Sequence, residues 1–435
     1  MVRFRSAPLV LVCLALLLAP PVLSQSAATT GGIEGTVMDE SGGVLPGVSV
    51  ALRNTATNYE TTVTTGPNGR FRGLLLPLGP YRITATLPGF AKVVRDGVSI
   101  SVGQSVNLAI TMQIAAKAEE ILVTAESPVV ETTRPEGATR IDSLALKEIP
   151  NNGRNFLEFT KLTPGVSIVQ GPDGDELTVN GQKGIQNNVS VDGADFNNPF
   201  FGEQRGGQRP AFTFNLDAVQ EVVVVADGAN AEYGRSSSGF VNVVTKSGTN
   251  AFAGTVNLFY KDDALASAAK NPDGSSSEKF DSNQLQGGFT LGGPIARDRT
   301  HYLAAFEHVD EDDIALFRPG GDFGDLAEDV PLPFTQTTAL ISLDHAFSTA
   351  SSGTARLAGE RYRRGNYQVG GVASPESGWS FDADILALLL GHSWVVSPDR
   401  LNELRVLALE SDFEGTLNSG ARTEWFSCEA TLRTG

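Results

Sequence analysis

The side chains in this sequence whose types could support metal binding or catalysis are four histidines, two cysteines and two knots of acidic residues. His301, His308, His345 and His392 are scattered and form no His-Glu-x-x-His pair, the spacing by which one helix face offers two imidazoles to zinc. No Gly-x-Ser-x-Gly elbow accompanies the serines, so the strained turn that exposes a hydrolase nucleophile is absent from the pattern. Asp173, Asp175 and Glu176 surround Gly174, and Asp192 and Asp195 lie near Asn197 and Asn198. Such oxygen-rich loops suit calcium, but neither has EF-hand spacing, and solvated turns are the expectation. No enzyme, cofactor or metal site is therefore expected. What remains is main-chain chemistry, in Glu119-Glu120-Ile121-Leu122-Val123-Thr124-Ala125. An acidic pair leads a β-prone run flanked by small residues and Pro128, with no neighbour that would obviously pair with it. An unpaired strand lets a partner chain add its own strand without any pocket. Glu120, Ile121, Leu122, Val123 and Thr124 are the candidate contact residues; the other reading is a linker strand that pairs with the unit before or after it.

The elements that would position this strand are β-rich. From Gly32 to Met112, seven short alternating runs (Ile33–Val37, Val48–Leu52, Tyr59–Val63, Arg70–Arg72, Tyr81–Leu87, Val98–Ile100 and Val106–Met112) are separated by turn signals such as Pro67-Asn68-Gly69. That spacing predicts a small Ig-like β-sandwich over 32–113. Downstream, Ile141–Pro150 has helical periodicity, capped by Asp142 or Ser143 and stopped by Pro150. Leu177–Gly181 and Val189–Gly193 read as strands ending in tight turns. The segment Val219–Asn250 reads as strand, irregular crossing and strand, with apolar runs suited to a buried position.

Composition narrows the setting. Arg3 and Arg5 precede an apolar run from Pro8 to Ala19 and a small-residue exit at Ser24-Gln25, a secretory signal over 1–24. That run is well below the ~20 residues that cross a bilayer as a helix. Beyond the signal only Cys428 remains, which predicts no intramolecular disulfide. A net charge of −17 argues against nucleic acid as a partner. No later apolar run approaches helix-spanning length, so any membrane crossing would be by a barrel.

Several of these stretches carry resemblances. Gly35–Asp39, Pro46-Gly47-Val48, Gly69-Arg70-Phe71, Gly79-Pro80-Tyr81 and Gly89-Phe90 resemble the carboxypeptidase-regulatory-like domain, a name that implies no activity here. Glu119–Ala125 resembles the TonB box, the acidic-hydrophobic segment of TonB-dependent outer-membrane receptors. Val222–Val224, Gly228, Ala231, Tyr233-Gly234, Gly239, Val241, Asn242 and Thr245-Lys246 resemble the end of the plug domain of that family, with Asp227 departing from its turn. The runs Ile149–Val166, Val179–Gln182 and Asn187–Asp195, in that order, are similar to the Oar-like branch. The resemblance implies a linker with its box over 114–126 and an α+β plug over 127–250.

After Asn250 the sequence turns to amphipathic strands: Phe252–Tyr260, Asn283–Gly293, Thr300–Val309, Thr337–Phe347, Thr354–Arg363, Ile385–Val396 and Leu401–Glu410. In the first, Val256, Leu258 and Tyr260 face one way and Thr255, Asn257 and Phe259 the other. Trp379, Trp394 and Trp425 suit the aromatic girdles of an outer-membrane barrel. Gly292–Glu307 and His392–Arg405 resemble Oar-like barrel strands. The fold class expected is mainly β: a sandwich, an α+β plug and the first strands of an incomplete transmembrane antiparallel barrel over 251–435. Roughly eight or nine strands of ~9–11 residues fit after Asn250, against about 22 in plugged barrels, so a truncated receptor is expected. The implied function is energy-coupled uptake, with TonB and its inner-membrane energy-transducing complex, outer-membrane lipid and an unidentified extracellular ligand as partners. The alternative is a non-transporting surface or periplasmic adhesion protein whose sandwich is the binding module.

Overall fold

The computed structural model describes residues 29–115, 120–123, 137–151, 154–171, 174–197, 215–228, 236–268, 281–397 and 400–419, with a few single positions between. The signal segment, Thr124, Asp173, Trp425 and Cys428 lie outside the described residues.

The first unit is a β-sandwich of β1 (Gly31–Asp39), β2 (Ser49–Asn54), β3 (Glu60–Thr64), β4 (Arg70–Leu76), β5 (Gly79–Thr86), β6 (Lys92–Ile100) and β7 (Ser105–Met112). Each of the seven expected runs lies in or overlaps its strand, in order. One sheet has the order β4-β1-β7; the other begins β3-β2-β5-β6. Alternate residues of both sheets, among them Ile33, Val37, Leu52, Phe71, Tyr81, Ile83 and Met112, fill a core of their own. Gly35 is where the sheet needs the smallest residue, because a Cβ there would stand 2.1 Å from the Leu108 carbonyl oxygen.

The acidic-hydrophobic run corrects an expectation. Rather than standing unpaired, Glu120–Val123 forms β8, the fifth strand of the second sheet. Its backbone runs parallel to β6, with Lys92 opposite Glu120, Val93 opposite Ile121, Val94 opposite Leu122 and Arg95 opposite Val123. Parallel neighbours require a crossover. Here β7 supplies it, returning through the opposite sheet, so the partner lies a strand away in sequence and is invisible to local pattern.

The second unit is an α+β module: β9 (Gly137–Asp142), α1 (Ser143–Glu148), β10 (Val166–Gly171), β11 (Gly174–Val179), β12 (Asn188–Val191), β13 (Ala194–Asp195), β14 (Val219–Asp227) and β15 (Phe240–Thr245). The Asp142 carboxylate accepts from the Ala145 amide and caps α1, as expected. The main sheet runs β13-β12-β15-β14-β9. Its centre is the valine-rich pair β14 and β15, buried on both faces: Val222, Val224, Val241 and Val243 on one side, Val223, Val225, Phe240 and Val244 on the other.

The third unit is a curved antiparallel sheet of β16 (Ala253–Asp262), β17 (Asn283–Ala296), β18 (Thr300–Phe317), β19 (Glu328–Ser348), β20 (Ser351–Tyr367), β21 (Trp379–Ser397) and β22 (Arg400–Leu417), paired in chain order. Seven strands are described after Asn250, most of them well past the ~9–11 residues expected of each. β16 and β22 are not paired to each other, so the described sheet is open. The outer face is apolar: Val256 is 87% and Leu258 72% exposed, with Leu285, Phe289, Ile341, Leu357, Leu386, Leu388, Leu390 and Leu404 also exposed. The inner face buries Leu303, Ala305, Leu340, Ala358, Ile385, Ala387 and Leu389 in one cluster with the valines of the second unit. Trp394 is exposed near one end of β21, as a girdle residue would be. Trp379 departs from that expectation: it shares the inward side of β21 with Ile385 and packs edge-on against Tyr367 and Phe381.

Candidate functional site

The second unit is held against the inner face of the curved sheet by two polar clusters, and against the sandwich by a third. The first centres on Arg154, in the turn between α1 and the 3-10 helix Phe156–Leu162, at a left-handed φ of 54°. Its guanidinium meets Asp217 Oδ2 at 3.0 Å and Glu307 Oε2, on β18, at 3.3 Å. It also lies over the Phe259 ring of β16, 5.2 Å from the centroid. Gln286 donates to the other Glu307 oxygen at 3.1 Å, and Asn257 donates to Asp217 at 2.8 Å. Burial pushes the Asp217 carboxyl upward, but the Arg154 charge and the Asn257 bond outweigh it and hold the group below the usual carboxylate range.

The second cluster is an ion pair between Asp192, in the β12–β13 turn, and Arg356 on β20, both buried. The Thr245 amide donates to Asp192 Oδ1 at 2.9 Å, and Arg356 donates to Ser342 at 3.3 Å. The sequence expectation of a solvated turn fails at Asp192, which is buried. Because β12 lies inside the sheet, beside β15, its turn points at the inner face of the curved sheet and the carboxylate meets a cation instead of water. Asp195 serves locally, accepting from the Asn197 amide at 2.8 Å. No group of three or more potential metal ligands occurs among the described residues.

The third cluster joins the sandwich to the second unit. In the turn after β6, the Val102 amide donates to Glu221 Oε2 at 3.1 Å, and Arg140 Nε donates to the Val102 carbonyl at 3.2 Å. The Val102 side chain is buried among Val223, Val225, Phe240 and Val244. Burial pushes the Glu221 carboxyl up to about 7 against the pull of the Val102 amide and Arg140.

The sandwich also touches the short-turn end of the curved sheet. Asn58 donates to Asp298 at 2.7 Å, the Tyr59 hydroxyl to the Thr349 carbonyl at 2.8 Å, and Arg405 to Thr29 at 2.9 Å. Asn250 ties the chain between the second unit and β16 to the same place, donating to Asp298 and, through its amide, to the Ala56 carbonyl. A partly open cavity of about 350 Å³ lies where the three units meet, lined by Tyr59, Pro80, Thr245, His301, Asp344 and Arg356 among others. Three histidines near this end have local partners: His301 with Asn250, His345 with Thr300 and His392 with Ser351.

The geometry thus brings together a compact unit, seated on the inner wall by a shared apolar cluster and a few buried charges, and one edge strand. Sequence reasoning placed Glu120–Val123 as a strand, with pairing to the sandwich as its alternative, and did not identify β6 as the partner. It did not single out Arg154, Asp192, Asp217, Glu221, Glu307 or Arg356 as contact residues. The available signal was a charge on the inward side of an otherwise amphipathic strand, as with Glu307 after Leu303 and Ala305, and Arg356 before Ala358.

Residues 32–113 match the family model of the carboxypeptidase regulatory-like domain, residues 134–241 that of the TonB-dependent receptor plug domain, and residues 244–315 that of an outer membrane beta barrel domain. The TonB-dependent transporter Oar of Myxococcus xanthus is 27% identical over 297 residues, covering 65% of this chain and 27% of that transporter. Among solved structures, the outer membrane transporter YddB from Escherichia coli superposes with a TM-score of 0.50 at 12% identity, over 67% of this chain and 42% of that one. The siderophore receptor PirA from Acinetobacter baumannii gives a TM-score of 0.46 at 17% identity, over 68% of this chain and 42% of that one. The likeness to YddB is one of fold. The chain spans about a quarter of the length of the curated relative it matches.

Proposed function

We propose, because this chain belongs to the TonB-dependent receptor family, that it serves energy-coupled uptake of a ligand across the outer membrane. The observation that carries this reading is the contrast between the two faces of the curved sheet. Its outer side is an apolar belt suited to lipid, while its inner side seats the plug through Arg154–Glu307 and Asp192–Arg356. A few charged contacts beside one shared apolar cluster hold the stopper on that wall.

In this reading a ligand arrives from the long-loop side and TonB captures Glu120–Thr124 as a paired strand on the short-turn side. Force drawn from the inner-membrane proton gradient then displaces part of the plug. The protein is exported, resides in the outer membrane and performs no catalytic step. Cysteines at Leu122 or Val123 should crosslink to a cysteine-bearing TonB in cells. If no position from Glu120 to Thr124 forms that adduct while the receptor is present in the outer membrane, the reading fails.

A further inference from the structure

The pairing of β8 raises the question of how a strand already in a sheet can be gripped by a second chain. β8 is the last strand in the order β3-β2-β5-β6-β8, so one of its backbone edges faces β6 and, among the described residues, no strand pairs with the other. Its pairing with β6 continues an attachment that begins earlier. The Ala115 amide donates to the Gly89 carbonyl at 3.0 Å, the Ala91 amide donates to the Gln113 carbonyl at 2.7 Å, and Phe90 bridges Ile114. The chain is therefore bonded to the sandwich both at residues 113–115 and along β8. Stripping β8 away would break main-chain bonds before any new ones form, whereas addition to its outer edge breaks none.

We infer that TonB docks on the outer edge of β8 while β8 stays paired to β6, so that its strand extends the five-stranded sheet by one and the sandwich itself becomes the handle that is pulled. This rests on the reading that TonB captures this strand. The path from handle to plug is short. β6 ends at Ile100, and Val102, two residues on, is the residue bonded to Glu221 and Arg140 on the plug sheet. The covalent route instead passes through residues 124–136, which can extend to at most ~45 Å. Tension on β8 consequently reaches the Val102 joint through β6 before the linker is drawn tight.

The test uses the full chain in detergent, with Cys428→Ser and the register pair Val94→Cys and Leu122→Cys, and the purified periplasmic domain of TonB as probe. Opposed residues on paired strands lie within the Cα separation a disulfide spans. The expected result is that oxidation, which locks β8 to β6, leaves the Kd for the TonB domain within about threefold of the reduced form. Weakening of more than tenfold on oxidation, reversed by reductant, overturns the inference and leaves the capture reading standing. No binding by either form or by the chain without the cysteine pair removes both. Hydrogen exchange on the chain without the cysteine pair gives an independent measure: amides of Lys92–Arg95 should keep their protection when the TonB domain binds. Their loss of protection on binding would show β8 leaving β6 and likewise overturn the inference.

Discussion

At the scale of single residues, the seat of the plug depends on charges that have few substitutes for each other. Removing one member of a buried ion pair is far more damaging than replacing both, because the survivor stays desolvated without a partner. Arg356→Ala should therefore cost about 3–5 kcal/mol in urea unfolding, by stranding Asp192. Arg356→Met combined with Asp192→Asn should recover most of that loss. Asn is the replacement because Asp192 sits at a φ of 51°, which few other side chains tolerate. Glu221 makes the complementary prediction about pH. Its folded value of about 7 lies above the ordinary 4.5, so the folded chain binds the proton more tightly than the unfolded one. The stability linked to that proton is fully present below pH 4.5 and is lost as pH rises through 7, on the order of 3 kcal/mol in all. Stability followed from pH 5 to 8 should fall along this window in the native chain, and Glu221→Gln should flatten that part of the profile.

At the scale of elements, the seams between strands set tolerances as tight as those of any core. Gly248 lies between β15 and β16, where the chain leaves the plug and enters the curved sheet. A Cβ there would stand 2.2 Å from the Tyr302 carbonyl oxygen on β18, a backbone atom that cannot swing aside. Gly248→Ala should cost about 1–3 kcal/mol by overpacking and should leave the plug more open to protease, which limited digestion would show. The elements themselves were largely legible in the sequence. Alternation alone located the sandwich strands and the strands of the curved sheet, and it assigned Val256 and Leu258 to the face opposite Asn257. Pairing was less legible, because it depends on what lies across the sheet. β8 finds β6 only after β7 has crossed over, and Asp192 meets Arg356 only because the β12 turn faces an inner wall built more than 150 residues later. Trp379 shows the same limit: its letter suggests a membrane girdle, while its parity along β21 turns it inward.

Across the whole molecule, three units are joined by seams that combine polar and apolar contacts. The sandwich has a core that includes nothing from the plug, whereas plug and curved sheet share one apolar cluster. Those two should therefore loosen together, and the sandwich should detach alone. Val102 is where this difference can be measured, since its side chain is the sandwich residue buried in the plug's outer valine layer and its backbone holds Glu221 and Arg140. Val102→Asp removes ~1.5–3 kcal/mol of apolar burial and sets a second carboxylate beside Glu221. Amides of residues 101–104 and of β9 and β14 facing them should then exchange at least roughly tenfold faster, the factor that ~1.4 kcal/mol produces. Amides of β1 and β5, deep in the sandwich, should exchange as before, because that core does not depend on docking. Slower or unchanged exchange at the seam would mean that the rim contacts of Asn58, Tyr59 and Thr29 suffice to hold the sandwich. In that case force entering through β6 would be delivered to the curved sheet's short turns instead of to the plug.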